Sequence, residues 1–341
     1  MALSALLFAG CSSDNDSEVT PGVKNSDYVG DGVIEFSSGR IAELRVSEAS
    51  GIVSWSNNDE IAIAMVNTGA LTIHTGYAGV VYKTPATLGG SLGSFTHSTT
   101  TKLTYPSGLT SANFDFVAIY PTPASASTTL DTTSAASPGD LEKISINLAN
   151  PAQQKDWMVA FVNNGGGGYN KSADAGTTIP LAFEHLLTKL VLRVTKDPTD
   201  TDVPDFNIAP NQLDVFVTGS AVNTTAEITF HPGAKPTIET EAAPSTDIKA
   251  TLKGTRQAIL AEFEVFLFPI GAAGPGTYLL EFRVGGRTFL ADLSTKINSS
   301  SGLEISKKYT LNAELRGSSV SLSATIGDFD EIAPWTGGFF E

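Results

Sequence analysis

Hydrophobic and polar residues alternate with a period of two along much of the chain, which is the pattern of half-buried β-strands. Residues 33–37 and 213–217 show this alternation, and residues 61–66 (IAIAMV) form the continuous apolar run typical of a fully buried strand. Gly285-Gly286 lies between two alternating runs and predicts a two-residue hairpin turn. Further strands are predicted at residues 114–120, 144–148, 157–162, 226–230, 258–268, 278–284, 287–293, 309–315 and 320–326.

One apolar segment leaves two interpretations open. Residues 181–194 (LAFEHLLTKLVLRV) would form an amphipathic helix with Leu186, Leu190 and Val194 on one face. The valines in the segment and the prolines on both sides of it favour a strand. Many short strands without a long helix predict an all-β protein built from β-sandwiches.

The composition changes abruptly at Cys11. The apolar stretch before it has about ten residues, which is too short to span a bilayer, and it resembles the core of a signal peptide. Residues 7–11 (LFAGC) resemble a bacterial lipobox, so Cys11 is predicted to carry a diacylglycerol on its thiol. A buried Cys in an N-terminal strand is the alternative, and the polar residues after Cys11 argue against it. The usual basic residues before the apolar stretch are missing, which leaves open a start further upstream.

Residues 1–10 are therefore predicted to be a lipoprotein signal peptide and residues 11–32 a flexible tether. The acidic residues Asp14, Asp16 and Glu18 resemble the signal that sends lipoproteins of Bacteroidales-type bacteria to the cell surface. A solvated tether explains the same residues, and the two interpretations are compatible.

Length and charge exclude several classes of function. The 341 residues suggest two domains. The net charge of −15 argues against nucleic-acid binding, because a phosphate backbone requires basic patches. A single Cys cannot form an internal disulfide, and the four His show no spacing that would converge on a metal. We therefore expect no cofactor and no metal site.

Four features suggest catalysis or ligand binding, and each has a simpler interpretation. Residues 89–93 match the G-x-S-x-G pattern around Ser91, but no helix follows to form a nucleophile elbow. Gly165–Gly168 is expected to be a hairpin tip and not a phosphate loop. His185 is expected to be a packed, hydrogen-bonded side chain, and the four Asp between residues 197 and 205 a solvated turn and not a calcium loop. The sequence does not predict an enzyme.

Five segments in the same order resemble the fimbrillin family, which comprises the FimA-like pilins and Mfa-like proteins of Bacteroidales-type bacteria. Residues 55–63 (WSNNDEIAI) resemble the signature Trp-x-x-Gly-Asp-x-Ile-Gly, with Asn58 and Ala62 in place of its glycines. The other segments are residues 116–121 (FVAIYP), 156–160 (DWMVA), 181–190 (LAFEHLLTKL) and 308–326 with the closing Trp335. The resemblance implies two tandem transthyretin-like β-sandwiches, which we place at residues 33–180 and 181–341.

The resemblance also implies a structural pilin subunit of type V fimbriae that serves adhesion. In this family an Arg-specific protease removes the N-terminal strand of the lipid-anchored precursor, and a C-terminal segment of the next subunit fills the groove. General physics supports this, since a missing strand leaves unpaired backbone groups that another strand can bind. The implied partners are other pilin subunits, in a homopolymer or a mixed fimbria, and an unidentified ligand on a host or bacterial surface. The lipid on Cys11 would hold the precursor in the outer membrane until it enters a cell-surface fimbrium.

The resemblance assigns three candidate sites in this sequence. Residues 32–37 would be the removable strand. The cut would follow Arg45 or Arg40, and we prefer Arg45 because its distance before Trp55 suits a linker. An uncut first strand that contains both Arg is the alternative. The candidate donor is residues 328–341, or else this segment is an ordinary last strand of its own domain; its apolar anchors would be Ile332, Trp335, Phe339 and Phe340.

Two other functions stay open at this point. A fimbrial tip or accessory adhesin would accept a donor strand without offering one. A surface glycan-binding lipoprotein would need an exposed aromatic platform, whereas Trp55 and Trp157 fall in apparent core strands. An esterase centred on Ser91 is a distant third.

Overall fold

We describe the fold from a computed structural model of the chain. It describes residues 32–38, 55, 58–69, 72–74, 79–85, 94–97, 102–122, 142–230, 237–240, 247–269, 277–297 and 302–328. Cys11, Arg40 and Arg45, the Ser91 motif and the donor anchors Ile332, Trp335, Phe339 and Phe340 lie outside the described residues.

The described residues form twenty-one strands and little helix, which confirms the all-β prediction. The only α-helix among them is the single turn α1 (Lys171–Asp174), and 3₁₀ turns occur at Pro151–Gln153, Asn164–Gly166 and Leu293–Thr295. No helix in the described part of the chain has the length and apolar character needed to cross a membrane. In chain order the strands are β1 (Glu35–Ser38), β2 (Glu60–Asn67), β3 (Thr72–Ile73), β4 (Val80–Lys83), β5 (Ser94–His97), β6 (Phe114–Tyr120), β7 (Glu142–Asn147), β8 (Met158–Val162), β9 (Thr178–Leu181), β10 (Phe183–His185), β11 (Thr188–Lys196), β12 (Asp214–Thr218), β13 (Thr225–Phe230), β14 (Thr237–Thr240), β15 (Ile248–Lys249), β16 (Thr251–Lys253), β17 (Leu260–Leu267), β18 (Leu279–Val284), β19 (Arg287–Asp292), β20 (Lys307–Arg316) and β21 (Ser319–Asp328).

The first half of the chain forms a nine-stranded sheet. Its strand order is β10-β8-β6-β2-β4-β5-β1-β9, and β3 pairs with β2. The two strands at the ends of this order, β9 and β10, are separated in sequence only by Ala182. The sheet therefore curls around its core, whose largest side chains include Phe36, Trp55, Tyr82 and Phe116.

The second half contains two sheets that share one core. One sheet has the order β16-β17-β11-β20-β21 and the other β15-β12-β18-β19. Alternate residues of both sheets, such as Leu192, Phe263 and Phe282, are buried in one cluster. The hairpin predicted at Gly285-Gly286 is confirmed, since β18 and β19 pair up to Val284 and Arg287 and both glycines have positive φ.

The strand interpretation of residues 181–194 is confirmed, but the segment is not one strand. β10 ends at His185 and β11 begins at Thr188, and the two strands belong to different sheets. Residues 185–190 are all buried, so the apolar run continues across Leu186-Leu187 and gives no sign of the break. The hairpin tip predicted at Gly165–Gly168 is wrong, since this stretch joins β8 to α1.

The two halves are connected by more than the chain at residues 181–188. Strand β7 of the first half pairs with β13 of the second, in a small sheet ordered β14-β13-β7. The first sheet continues to His185, beyond the domain boundary expected between residues 180 and 181. A division of the chain into two independent domains therefore stays a prediction.

The amide of Gln154 forms a second connection. Its Oε1 accepts a hydrogen bond from Phe266 N at 2.9 Å, and its Nε2 donates to Phe266 O at 3.2 Å and to Leu148 O at 2.7 Å. Gln154→Ala is expected to lower the free energy of unfolding by about 1–3 kcal/mol, because the backbone groups of β17 lose their partner. Chemical denaturation measures this, with Gln257→Ala, an exposed position, as control. Equal effects of the two substitutions would contradict the connection.

Candidate functional site: the slot of the first strand

Strand β1 lies inside the first sheet and not at its edge. It pairs antiparallel with β5, where Phe36 lies opposite Phe95, and parallel with β9, where Phe36 lies opposite Ile179. Both backbone edges of this short strand are therefore hydrogen-bonded to neighbours. We call residues 32–38 the first strand segment, and the space that it fills between β5 and β9 the slot.

The N-terminal part of the first strand segment extends the pairing beyond β5. Ile34 N donates to Leu103 O at 3.0 Å, and Tyr105 N donates to Gly32 O at 2.9 Å. Between them Val33 forms an antiparallel bridge with Thr104. Residues 102–105 thus continue the wall of the slot that β5 begins.

The inner face of the segment is buried in the core of the first sheet. Phe36 is 0% exposed, and its ring meets the rings of Tyr82 and Phe116 edge to face, with centroids 5.1 Å and 5.2 Å away. Ile34 and Ser38, two residues before and after Phe36, are 1% and 5% exposed. The inner face therefore carries an aliphatic, an aromatic and a small side chain at alternate positions.

The Tyr82 hydroxyl contacts the backbone of the segment as well. It donates to Ile34 O at 2.9 Å and accepts from Leu103 N at 3.1 Å. Burial raises the pKa of Tyr82, so the hydroxyl keeps its proton and remains a donor at neutral pH. One side chain thus joins the segment to the wall of the slot.

The outer face of β1 is polar. Glu35 and Ser37 are partly exposed, and Nε2 of His97 lies 3.3 Å from Glu35 Oε1. An exposed pair of this kind contributes little to stability, so the inner face and the backbone account for most of the hold on the segment.

The chain returns to the core at Trp55. This side chain is 7% exposed, and its ring meets those of Phe95, Tyr120 and Phe183 edge to face at 5.1–5.3 Å. In sequence, both candidate cut positions fall between Ser38 and Trp55. A cut at either one would leave Trp55 with the body of the chain and separate the first strand segment from it.

The residues of the Trp-x-x-Gly-Asp-like signature hold the turn that leads into β2. Asn58 has φ +63°, a left-handed conformation that Gly adopts freely and Asn tolerates. Asp59 N donates to Thr84 Oγ1 at 2.8 Å, and Tyr120 Oη donates to Asp59 Oδ1 at 3.3 Å. This signature is therefore structural, and it positions β2 beside β4 and β6.

His185 is a packed, hydrogen-bonded side chain, as expected. Its Nδ1 lies 2.9 Å from Asp156 Oδ1, and Ser306 Oγ donates to the His185 carbonyl at 2.7 Å. Both contacts lie where the chain passes from the first sheet to the second. The segment around His185, which resembles a fimbrillin strand, therefore stabilises the point where the chain passes from the first sheet to the second.

The acidic stretch after β11 is a structured turn. Asp197 accepts hydrogen bonds from the hydroxyl and the backbone N–H of Thr199, which lower the pKa of Asp197. Asp200 Oδ2 accepts from Gly317 N at 2.7 Å in the β20–β21 hairpin, which lowers its pKa in the same way. Lys196 Nζ lies 2.6 Å from Asp205 Oδ1. Within the described ranges, no three His, Cys, Asp or Glu side chains are grouped as metal ligands.

Comparison with known proteins finds solved structures of similar fold and a matching family. None of the curated proteins compared with the chain matches it. A Bacteroides uniformis structure named for cell adhesion has a TM-score of 0.59 at 22% identity, and a Bacteroides ovatus structure so named has 0.52 at 15%; each similarity covers 87% of this chain and 97% of the other. The tip fimbrial protein Mfa3 from Porphyromonas gingivalis has 0.44 at 7%, over 87% and 98%. The profile of the family described as Fimbrillin-like matches residues 45–329, and the chain therefore belongs to the Fimbrillin-like family.

Proposed function

We propose that this chain is a structural pilin subunit of type V fimbriae that serves adhesion. It is exported as a lipoprotein with lipid on Cys11, matured by an Arg-specific protease and polymerised by donor-strand exchange. Membership of the Fimbrillin-like family supports a fimbrial role, and the two structures named for cell adhesion share its fold.

The observation that carries the proposal is the position of β1. The first strand segment is hydrogen-bonded to neighbours on both edges. Its covalent link to the rest of the described chain runs only through residues 39–54. When such a strand leaves, the facing backbone groups of β5 and β9 lose their partners and the site of Phe36 opens to water. Main-chain hydrogen bonds form with almost any sequence, so these exposed groups bind a new extended strand. The side chains of that strand must also fit the vacated core.

The cut is proposed to follow Arg45. Residues 46–54 then remain as a linker in front of Trp55, whose buried ring anchors the new N-terminal region. A cut after Arg40 would lie only two residues beyond Ser38, the last residue of β1, and would leave a longer linker before Trp55.

The test uses the Cys11→Ser protein with an Arg-specific protease, followed by mass spectrometry and by electrophoresis under mild denaturant. We expect loss of residues 1–45 and ladders of oligomers. Arg45→Lys should keep the charge and block the cut, whereas the matched control Arg40→Lys should leave it unchanged. A chain that ends at Asp328 should be cut without forming ladders.

Other outcomes would change the assignment. Clean cutting of the full chain without ladders favours a tip or accessory subunit, which accepts a strand and offers none. Resistance of both Arg in the folded protein contradicts proteolytic maturation and favours a surface binding protein.

A further inference from the structure

Tyr82 contacts the strand in the slot in two different ways. Its hydroxyl binds the carbonyl of Ile34, a group that every amino acid has. Its ring packs against the side chain of Phe36, two residues later. The first contact is independent of sequence, and the second depends on which side chain follows.

The site of Phe36 demands an aromatic ring. Tyr82 and Phe116 both present ring edges or faces to it at about 5 Å, and Phe36 has no exposure to solvent. An aliphatic or small side chain there would leave a cavity and lose both aromatic contacts. The neighbouring inner positions are those of Ile34 and Ser38, and both side chains are buried, the second one being small.

We propose that the slot selects its incoming strand by the inner-face pattern aliphatic or small, aromatic, small at positions i, i+2 and i+4, with Tyr82 as the residue that binds its backbone. This rests on the proposed strand exchange. The occupant is residues 333–337 of a second copy, with Trp335 in the site of Phe36. Ala333 then replaces Ile34, and Gly337 replaces Ser38.

The choice of Trp335 follows from its neighbours in the sequence. The segment 328–341 contains four aromatic residues, and Trp335 alone has small residues on both sides at a spacing of two. Phe329 and Phe339 are each followed at i+2 by a Glu, which would be buried at the site of Ser38. Within residues 328–341, Phe340 has a small neighbour at this spacing on one side only, Gly338. Pro334 falls on the outer face at the position of Glu35, where it gives up one ladder hydrogen bond.

The experiment measures how labelled peptides displace the first strand segment from the protease-cut Cys11→Ser chain that ends at Asp328, which does not form ladders and keeps that segment until it is displaced. The peptide of residues 329–341 is compared with its Trp335→Ala, Trp335→Phe, Phe339→Ala and Phe340→Ala variants. We expect Trp335→Ala to weaken binding at least about thirtyfold. Trp335→Phe should bind as well as the parent, and the other two variants within about threefold of it.

Variants of the protein test the role of Tyr82. Tyr82→Phe keeps the ring and loses the hydroxyl, so it should weaken every peptide by the same factor, roughly fivefold to tenfold. Tyr278→Phe is the matched control, since the Tyr278 hydroxyl is buried in the core of the second half and has no hydrogen-bond partner among the described residues. Should Tyr82→Phe not fold, the peptide series on the unchanged protein still decides the pattern.

Four results would overturn the inference. Binding that depends on Phe339 or Phe340 and not on Trp335 contradicts the placement of Trp335 in the site of Phe36. Binding that ignores all three aromatic residues contradicts the selection by an aromatic site. Displacement by a peptide of residues 31–39, which copies the first strand segment, but not by residues 329–341 shows that the slot exchanges strands and that its donor is another chain. If neither peptide enters, the slot does not exchange at all, and the proposed function fails with the inference.

Discussion

Phe36→Ala is expected to destabilise the intact chain by about 3–5 kcal/mol, among the largest effects of any single substitution in the first half. The ring is fully buried between Tyr82 and Phe116, and removing it leaves a cavity that the strands around it cannot easily close. Chemical denaturation of the uncut Cys11→Ser protein measures the loss.

The same substitution should act differently once the strand is cut. The segment is then held by noncovalent contacts alone, so Phe36→Ala speeds its departure and the cut chain forms oligomers sooner. Ser37→Ala is the matched control, because Ser37 lies on the outer face of the same strand and should change neither property. A loss below about 1 kcal/mol for Phe36→Ala would mean that the ring does not fill the slot.

The long strands could be predicted from the sequence because their own residues encode them. Residues 114–120 were expected as a strand and form β6 with the same bounds, and the Gly-Gly turn fixed the β18–β19 hairpin. The short strands around the slot carry no such signal. β5 lies in a stretch rich in Ser, Thr and Gly, and β9 contains Pro180, which on sequence grounds indicates the end of a strand.

The slot itself could not be predicted from local pattern. Its walls come from β5, residues 102–105 and β9, and β9 pairs with β1 although about 140 residues separate them in sequence. Alternation in residues 33–37 predicts a half-buried strand, but alternation says nothing about which strands flank it. Tyr82 lies in the short run VVYK, where one tyrosine gives no sign that its hydroxyl reaches a strand 48 positions away.

The resemblance to fimbrillins located structural residues better than assembly residues. Its Asn58-Asp59 pair lies in a turn whose geometry explains the substitution of Gly by Asn, since Asn58 is left-handed. Its His185 segment fixes the crossing between sheets through Asp156 and Ser306. The assignment of Cys11 rests on the lipobox pattern, those of Arg45 and the C-terminal anchors rest on the resemblance to fimbrillins, and all of them stay predictions.

Trp55→Ala is expected to destabilise the chain by about 3–5 kcal/mol both before and after the cut. Trp55 contacts Phe95, Tyr120 and Phe183, all of which stay with the body of the chain when the first strand segment leaves. Its contribution is therefore independent of what occupies the slot, whereas that of Phe36 vanishes with the segment. Denaturation of the cut protein, alone and saturated with peptide, separates the two cases.

The comparison of the two positions tests whether the slot and the anchor of the new N-terminal region are separate. Trp55→Phe keeps an aromatic ring, so it should lower the free energy of unfolding less than Trp55→Ala does. It is the control for the loss of ring contacts. If Trp55→Ala destabilises the uncut chain but not the cut one, Trp55 leaves with the first strand segment, and the cut follows it in the sequence. If both forms are equally weakened, Trp55 stays with the mature subunit after the cut, and its contribution does not depend on the first strand segment.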